Sequence, residues 1–151
     1  MKLQTLVMGT ALLSLPYTSI VQAEDTAEQL YRQECGDCHV AYPARFLPQE
    51  SWDLVMRDLS DHFGDSAELD KEDQRLIHNY VSDNSAEVKG PRNWLTGTFN
   101  QPAVKRITEI PRFRHEHDEI PSRLINDNPK VKSLSQCDSC HLDAKSGVFS
   151  E

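Results

Sequence analysis

The 151-residue sequence has little that points to a membrane span or to a β-sheet. After residue 23, no segment approaches the ~20 consecutive apolar residues that a transmembrane helix needs. Alternation of apolar and polar residues, which is typical of half-buried strands, is almost absent. These absences exclude a membrane-embedded mature chain and predict a mainly α fold.

Basic residues are also in deficit, with 16 lysines and arginines against 24 acidic residues and a net charge of −8. A negative field of this kind disfavours nucleic acid and anionic lipid surfaces as partners. It favours a protein partner that presents a basic docking face.

The first 23 residues have the features of an export signal. Lys2 supplies a positive charge, an apolar run follows from Leu6 to Val21, and Val21-Gln22-Ala23 is a small-residue cleavage pattern. The run is too short for a membrane anchor. We therefore expect cleavage after about Ala23 and a soluble, exported mature chain.

All four cysteines lie beyond residue 23, in two pairs of identical spacing. Cys35-Gly36-Asp37-Cys38-His39 and Cys137-Asp138-Ser139-Cys140-His141 are both C-x-x-C-H motifs. In c-type haem attachment the two thiols bond to the porphyrin vinyl groups, and the adjacent histidine reaches the iron. The sequence therefore predicts two c-type haems (haem c, iron), with His39 and His141 as proximal ligands.

Other uses of paired cysteines fit less well. A four-cysteine zinc site usually brings its pairs within about 15–20 residues, and it would leave both motif histidines without a role. A thioredoxin-like redox pair needs a βαβ context, which is absent. Two short disulfide loops would not explain a histidine at the same place twice.

The sixth ligands can be narrowed by elimination. Met56 is the only methionine after the signal, so two His/Met haems are excluded. Four histidines remain after the motif histidines: His62, His78, His115 and His117. At least one haem is therefore bis-histidine, or open on one side.

Helix signals divide the mature chain. We expect helices from about Thr26 to Cys35, from Ser51 as N-cap to a Gly64 terminator, and from Asp70 as N-cap to about Ser82. A last helix is expected from Asp127 or Asn128, with Pro129 at its first position, and it would present the second motif. The predicted units are an N-terminal haem unit over 24–83, a linker over 84–105 and a C-terminal haem unit over 106–151.

The second helix carries the first candidate distal ligand. His62 lies at the edge of an apolar face that includes Trp52, Met56 and Phe63, so it is placed to rise toward an iron. Met56 is interpreted as core filler. His78 points away from the buried stripe of the third helix and is interpreted as a solvated side chain.

The second distal ligand is expected from the segment between Arg106 and Pro121, because the residues after His141 contain neither histidine nor methionine. His115 and His117 lie two apart there. One iron cannot take both, since its four equatorial positions are porphyrin nitrogens. Either histidine fits at this point.

Several tracts resemble the dihaem cytochrome c family of purple and related proteobacteria. The most specific tract runs from Cys35 to Gly64, and the resemblance covers essentially the whole mature chain. The further matching segments are Arg106-Ile107-Thr108, His117 with Glu119-Ile120, Val131-Lys132-Ser133-Leu134, Cys137 to His141 and Gly147-Val148-Phe149.

The resemblance implies a periplasmic electron carrier with two low-potential, bis-histidine haems. It implies a class I-like N-terminal haem unit and an irregular C-terminal haem unit in a small helical protein. It carries the axial roles to His39, His62, His117 and His141, and it disfavours His78 and His115. The implied redox partners are a small monohaem oxygen-binding cytochrome or a membrane b-type cytochrome.

Electron transfer without catalysis is therefore the leading hypothesis, because two six-coordinate haems leave no iron open to a substrate. One alternative is a ligand-binding or peroxidase-type haem protein with one open iron. Another is a small electron-transfer subunit of a larger reductase.

Overall fold

The computed structural model describes residues 19–89, 102–131 and 133–149, and regular structure within these ranges is helical. Their only β-type pairing is an isolated bridge between His62 and Asp65. None of their helices is long and apolar enough to cross a membrane. The α-helices are α1 (Ser19–Glu34), α2 (Gln49–Arg57), α3 (Lys71–Asp83), α4 (Ala86–Lys89), α5 (Pro111–His117) and α6 (Arg123–Asn126).

Helix α1 delivers the first C-x-x-C-H motif, as predicted, but its described part extends back to Ser19, beyond the expected start near Thr26. Residues 19–25 contain no proline or glycine, so nothing in the sequence interrupts the helix there. The helix therefore runs through the predicted cleavage site after Ala23. Most of the predicted signal peptide lies outside the described residues, and its cleavage stays a prediction.

The predicted second helix is wrong in its extent. Helix α2 begins after Pro48 rather than at Ser51, and it ends at Arg57. A separate 3-10 turn, Leu59–Asp61, follows, and His62 lies beyond it with non-helical backbone angles. The first turn of α2 already includes Ser51, because the N–H groups of Ser51 and Trp52 donate to the carbonyl oxygen of Pro48 at 3.0 and 3.1 Å.

Helix α2 ends because the backbone of Asp58 leaves the helical region, with φ −125° and ψ 38°. The loop after His62 departs further from helical geometry. Phe63 has a φ of 60° and Gly64 a φ of 102°, both in the left-handed region. Gly64 tolerates this conformation because it has no Cβ, which agrees with its predicted role as a terminator. Phe63, expected on the buried face with Trp52, is instead 42% exposed.

Helix α3 matches its prediction closely. The Asp70 carboxylate accepts hydrogen bonds from the N–H groups of Glu72 and Asp73 at 2.9 and 3.0 Å, which caps the first turn. Ile77 and Val81 on the predicted apolar stripe are completely buried. The helix packs against both α1 and α2.

One hydrophobic core joins the two predicted haem units. Tyr31, Trp52 and Ile77 from the N-terminal half share it with Ile110 and Phe113 from the C-terminal half. The predicted linker begins inside this core region, because the N–H of Ala86 donates to the carbonyl of Leu47 at 2.9 Å. Residues 90–101 of the linker lie outside the described residues, and the division into units stays a prediction.

The predicted last helix is wrong. Residues 127–131 form a turn in which the side-chain oxygen of Asn128 accepts from the N–H of Lys130 at 3.0 Å. This local bond competes with helix formation. The short helix α6 lies before the turn, and the second motif begins with a 3-10 turn at Cys137–Ser139. The two motifs are therefore presented differently, not by two equivalent helices.

Candidate haem sites

No disulfide joins the four cysteines of the two motifs. Burial, reinforced by the charge of Glu34, raises the pKa of Cys35 to about 12. Burial likewise raises the pKa of Cys137 to about 11. A thiolate is the form that binds zinc or attacks a disulfide. The raised pKa disfavours both uses at Cys35 and at Cys137. Within the described ranges, no group of three or more His, Cys, Asp and Glu side chains is placed to hold a metal ion.

The first motif follows directly from the last turn of α1. Gly36 packs so closely on that turn that a Cβ added to it would lie 2.2 Å from the carbonyl oxygen of Arg32. Cys35 is half-buried and Cys38 exposed. The glycine therefore allows the motif to fold back against the helix that carries it.

The proximal and distal candidates of the first site face each other. The ring centres of His39 and His62 lie 6.3 Å apart, and their planes differ by 24°. Both rings line a cleft of about 300 Å³ together with Cys35 and Cys38. Its wall includes the apolar side chains of Trp52, Val55, Met56, Leu59 and Ile107.

A short loop holds His62 in this position. The backbone N–H of His62 donates to the carbonyl oxygen of Asp65 at 2.7 Å, and the N–H of Asp65 donates to the carbonyl oxygen of His62 at 3.3 Å. The guanidinium of Arg106 lies 3.9 Å from the ring centre of Phe63, so a residue of the predicted C-terminal haem unit covers this loop. Burial, then the nearby charges of His39 and Arg106, lowers the pKa of His62. A neutral imidazole is the form that binds a metal.

The second motif is anchored by its first cysteine. Cys137 is buried in a small cluster with Val40 and Ala144. The N–H of His141 donates to the carbonyl of Cys137 at 2.8 Å. The imidazole of His141 contacts the ring of Phe149 with centres 5.6 Å apart.

His117 is the last residue of α5, which places it beside His141 of the second motif. Its ring centre lies 6.1 Å from that of His141, with the planes 73° apart. The His117 ring stacks on Phe113 with centres 3.9 Å apart. In the folded chain His62 therefore lies beside His39 of the first motif, and His117 lies beside His141 of the second.

The other candidates lie elsewhere. The side chain of His115 is 72% exposed and points toward Asp118. The Nε2 of His78 lies 2.6 Å from a carboxylate oxygen of Asp53. Met56 is buried in the main core and also lines the first cleft.

Tyr42 and Lys105, to which no sequence motif gave a role in a site, contribute to these sites together with Arg106. The ring of Tyr42 stacks on His39 of the first motif, and Tyr42 also packs against the small cluster that contains Cys137 of the second motif. Lys105, which forms an ion pair with Asp58, and Arg106 both line the first cleft. Only long-range contacts reveal these roles, since no local spacing marks the residues.

The residues present fit a haem at each site. Each site combines two thiols in the attachment spacing, two imidazoles facing each other and neighbouring apolar or aromatic side chains. The guanidinium of Arg106 suits a haem propionate at the first cleft. This combination defines the class as a c-type cytochrome with two haem sites.

Comparison with known proteins identifies the family. The sequence profile described as "Dihaem cytochrome c" matches residues 31–149. A dihaem cytochrome c from Rhodobacter sphaeroides is 39% identical, with a TM-score of 0.74 over 80% of this chain and 95% of that one. A dihaem cytochrome type c from Shewanella baltica is also 39% identical, with a TM-score of 0.68 over 82% and 88%. A search of curated proteins found no match.

The chain therefore belongs to the dihaem cytochrome c family. This membership confirms the predicted resemblance, the mainly helical fold and the two c-type haems as cofactors. It also implies a role in electron transfer.

Proposed function

We propose that this protein is a periplasmic electron carrier in which both haems are bis-histidine ligated. His39 and His62 would bind one iron, and His141 and His117 the other. The observation that carries the proposal is the spacing of the two imidazole pairs, 6.3 and 6.1 Å between ring centres.

This spacing fits a metal ion held between two rings. A histidine nitrogen binds a transition metal such as zinc at about 2.0–2.1 Å, and the ring centre lies roughly 1 Å behind that nitrogen. Two imidazoles on opposite sides of one ion therefore have ring centres roughly 6 Å apart. Both pairs have this separation in the folded chain.

Hydrogen bonds favour the required tautomer in both halves of the molecule. The Nδ1 of His39 lies 2.8 Å from the carbonyl oxygen of Val40, and the Nδ1 of His117 lies 2.8 Å from that of Phe113. A proton on Nδ1 donates to the carbonyl and leaves the Nε2 lone pair for a metal. Such partners fix the ring orientation and raise the basicity of the ligand.

Two such haems suit electron transfer rather than catalysis. A bound haem iron supplies one-electron oxidation and reduction. Bis-histidine ligation lowers the reduction potential relative to His/Met ligation. It also leaves no coordination position for a substrate, which supports a carrier that is not an enzyme.

The location and partners rest on the sequence and on the family resemblance. The export pattern before Ala23 supports the periplasm, and the net charge of −8 supports a partner with a basic docking face. The partner classes we propose are a small monohaem oxygen-binding cytochrome and a membrane b-type cytochrome.

Haem counting combined with carbon monoxide binding tests the proposal. We expect a pyridine haemochrome assay to find two covalent haems per chain, and the reduced spectrum to be unchanged by carbon monoxide. One haem that responds would overturn the bis-histidine assignment and favour a ligand-binding or peroxidase-type protein. Elution with a larger complex on size exclusion of native extract would favour a reductase subunit over a free carrier.

A further inference from the structure

Tyr42 connects the two haem sites. Its ring stacks on the imidazole of His39, with centres 4.7 Å apart and planes 17° apart. Its hydroxyl donates a 2.8 Å hydrogen bond to the carbonyl oxygen of Ser135, which is distant in the sequence. One side chain therefore touches the proximal histidine of the first site and the segment that leads into the second.

Ser135, which accepts the hydrogen bond from Tyr42, lies close to the second C-x-x-C-H motif. Ser135 precedes Cys137 by two residues, and Cys137 is buried against Val40 and Ala144. Tyr42 packs against the same small cluster. A displacement of the Tyr42 hydroxyl would therefore be transmitted to the cysteine that anchors the second haem.

The Tyr42 backbone is itself held by the main core. The hydroxyl of Tyr31, a buried residue of α1, donates to the carbonyl oxygen of Tyr42. Tyr31 packs edge-on against Trp52 with ring centres 6.0 Å apart. The core therefore fixes the backbone of Tyr42. Its ring and its hydroxyl remain available to contact the two sites.

The two attachment motifs also border one shared surface cavity of about 340 Å³. Its walls include Cys38 and His39 from the first motif and Asp138 from the second. The motifs therefore lie side by side in the fold, although nearly the whole mature chain separates them in sequence. A short distance between haems makes their exchange of electrons sensitive to small displacements.

We propose that Tyr42 is a positioning residue that sets the distance and orientation between the two haems, and thereby the rate of electron exchange between them. This inference rests on the proposed function as an electron carrier. In the exchange, one iron is oxidised as the other is reduced, and no bond forms or breaks. Tyr42 neither binds an iron nor changes its own redox state.

The discriminating change is Tyr42→Phe, which keeps the ring on His39 and removes only the bond to Ser135. The matched control is Tyr80→Phe, which removes a hydroxyl from a partly buried tyrosine of the same core. Tyr80 contacts Tyr31, with ring centres 5.4 Å apart. Both variants are compared with the full-length dihaem protein for haem content and absorption spectrum.

Two measurements then report the geometry between the haems. Pulse radiolysis of the oxidised protein follows electron exchange after a single electron is added, and spectroelectrochemistry gives the separation of the two reduction potentials. We expect Tyr42→Phe to slow the exchange several-fold and to change the potential separation, while both haems stay attached and low-spin. Tyr80→Phe should match the wild type in both measurements.

Unchanged exchange and potentials in Tyr42→Phe would overturn the inference, and so would an equal effect of Tyr80→Phe. Loss of either haem from Tyr42→Phe would also overturn it, since the hydroxyl would then serve haem incorporation. An open iron in the wild-type protein would contradict the proposed ligation alone, because the comparison of exchange rates does not depend on the sixth ligand.

Discussion

The imidazole of His117 lies flat on the ring of Phe113, with centres 3.9 Å and planes 10° apart, and its Nδ1 lies 2.8 Å from the carbonyl oxygen of the same residue. Phe113 is buried in the core that both halves of the chain share. The orientation of this histidine is therefore set by the hydrophobic core rather than by the exposed end of α5.

Replacement of His117 by alanine should open one iron and leave both haems attached, because the thioether anchors are untouched. We expect one carbon monoxide-reactive haem per chain, against none in the wild type, measured from the reduced spectrum. His115→Ala is the matched control, since it removes an exposed histidine from the same helix and should leave the spectrum unchanged. A fully six-coordinate spectrum in His117→Ala would reject this ligand.

Replacement of His62 by alanine should have the same effect at the other site. The paired control is His78→Ala, which removes a partly exposed histidine whose partner is Asp53. Carbon monoxide titration should again find one reactive haem for His62→Ala and none for His78→Ala. The ligand set predicts two reactive haems in a variant that lacks both His62 and His117. Reaction of His78→Ala with carbon monoxide would instead identify His78 as a ligand.

The first motif should not tolerate a side chain at Gly36. In Gly36→Ala the added Cβ would meet the backbone oxygen of Arg32, and backbone cannot rotate away as a flexible side chain can. We expect a fraction of the purified protein to carry one haem instead of two, which intact-mass measurement would detect. Asp37→Ala changes an exposed neighbour in the same motif and should retain two haems. Equal haem content in the two variants would show that the close packing is not required.

The core that joins the two halves should be sensitive to cavities. Ile77 is completely buried on α3, so Ile77→Ala should lower the free energy of unfolding by about 2–5 kcal/mol. Val88→Ala, at a position that is 59% exposed, should change it by less than about 0.5 kcal/mol. Denaturant unfolding followed by circular dichroism compares the two. A small effect at Ile77 would indicate that the haems, rather than this cluster, dominate the stability.

The sequence correctly predicted the helix whose start and buried face depend only on residues close together in the chain. This helix is α3, because its Asp70 cap bonds only to the next turn and its buried stripe follows helical periodicity. The same reasoning was wrong after Arg57 and after Asn128. At the first, the backbone of Asp58 leaves the helical region, with φ −125° and ψ 38°. At the second, a side-chain bond to the backbone replaces a helix.

The sequence by itself determined the two haems, since attachment needs only two cysteines and a histidine within five consecutive residues. It also limited the distal ligands to a few histidines. Only the tertiary structure decided which imidazoles face each other and that Tyr42 joins the two motifs. These relationships depend on a core built from residues far apart in the chain, and such contacts leave no periodic pattern from which they could be predicted.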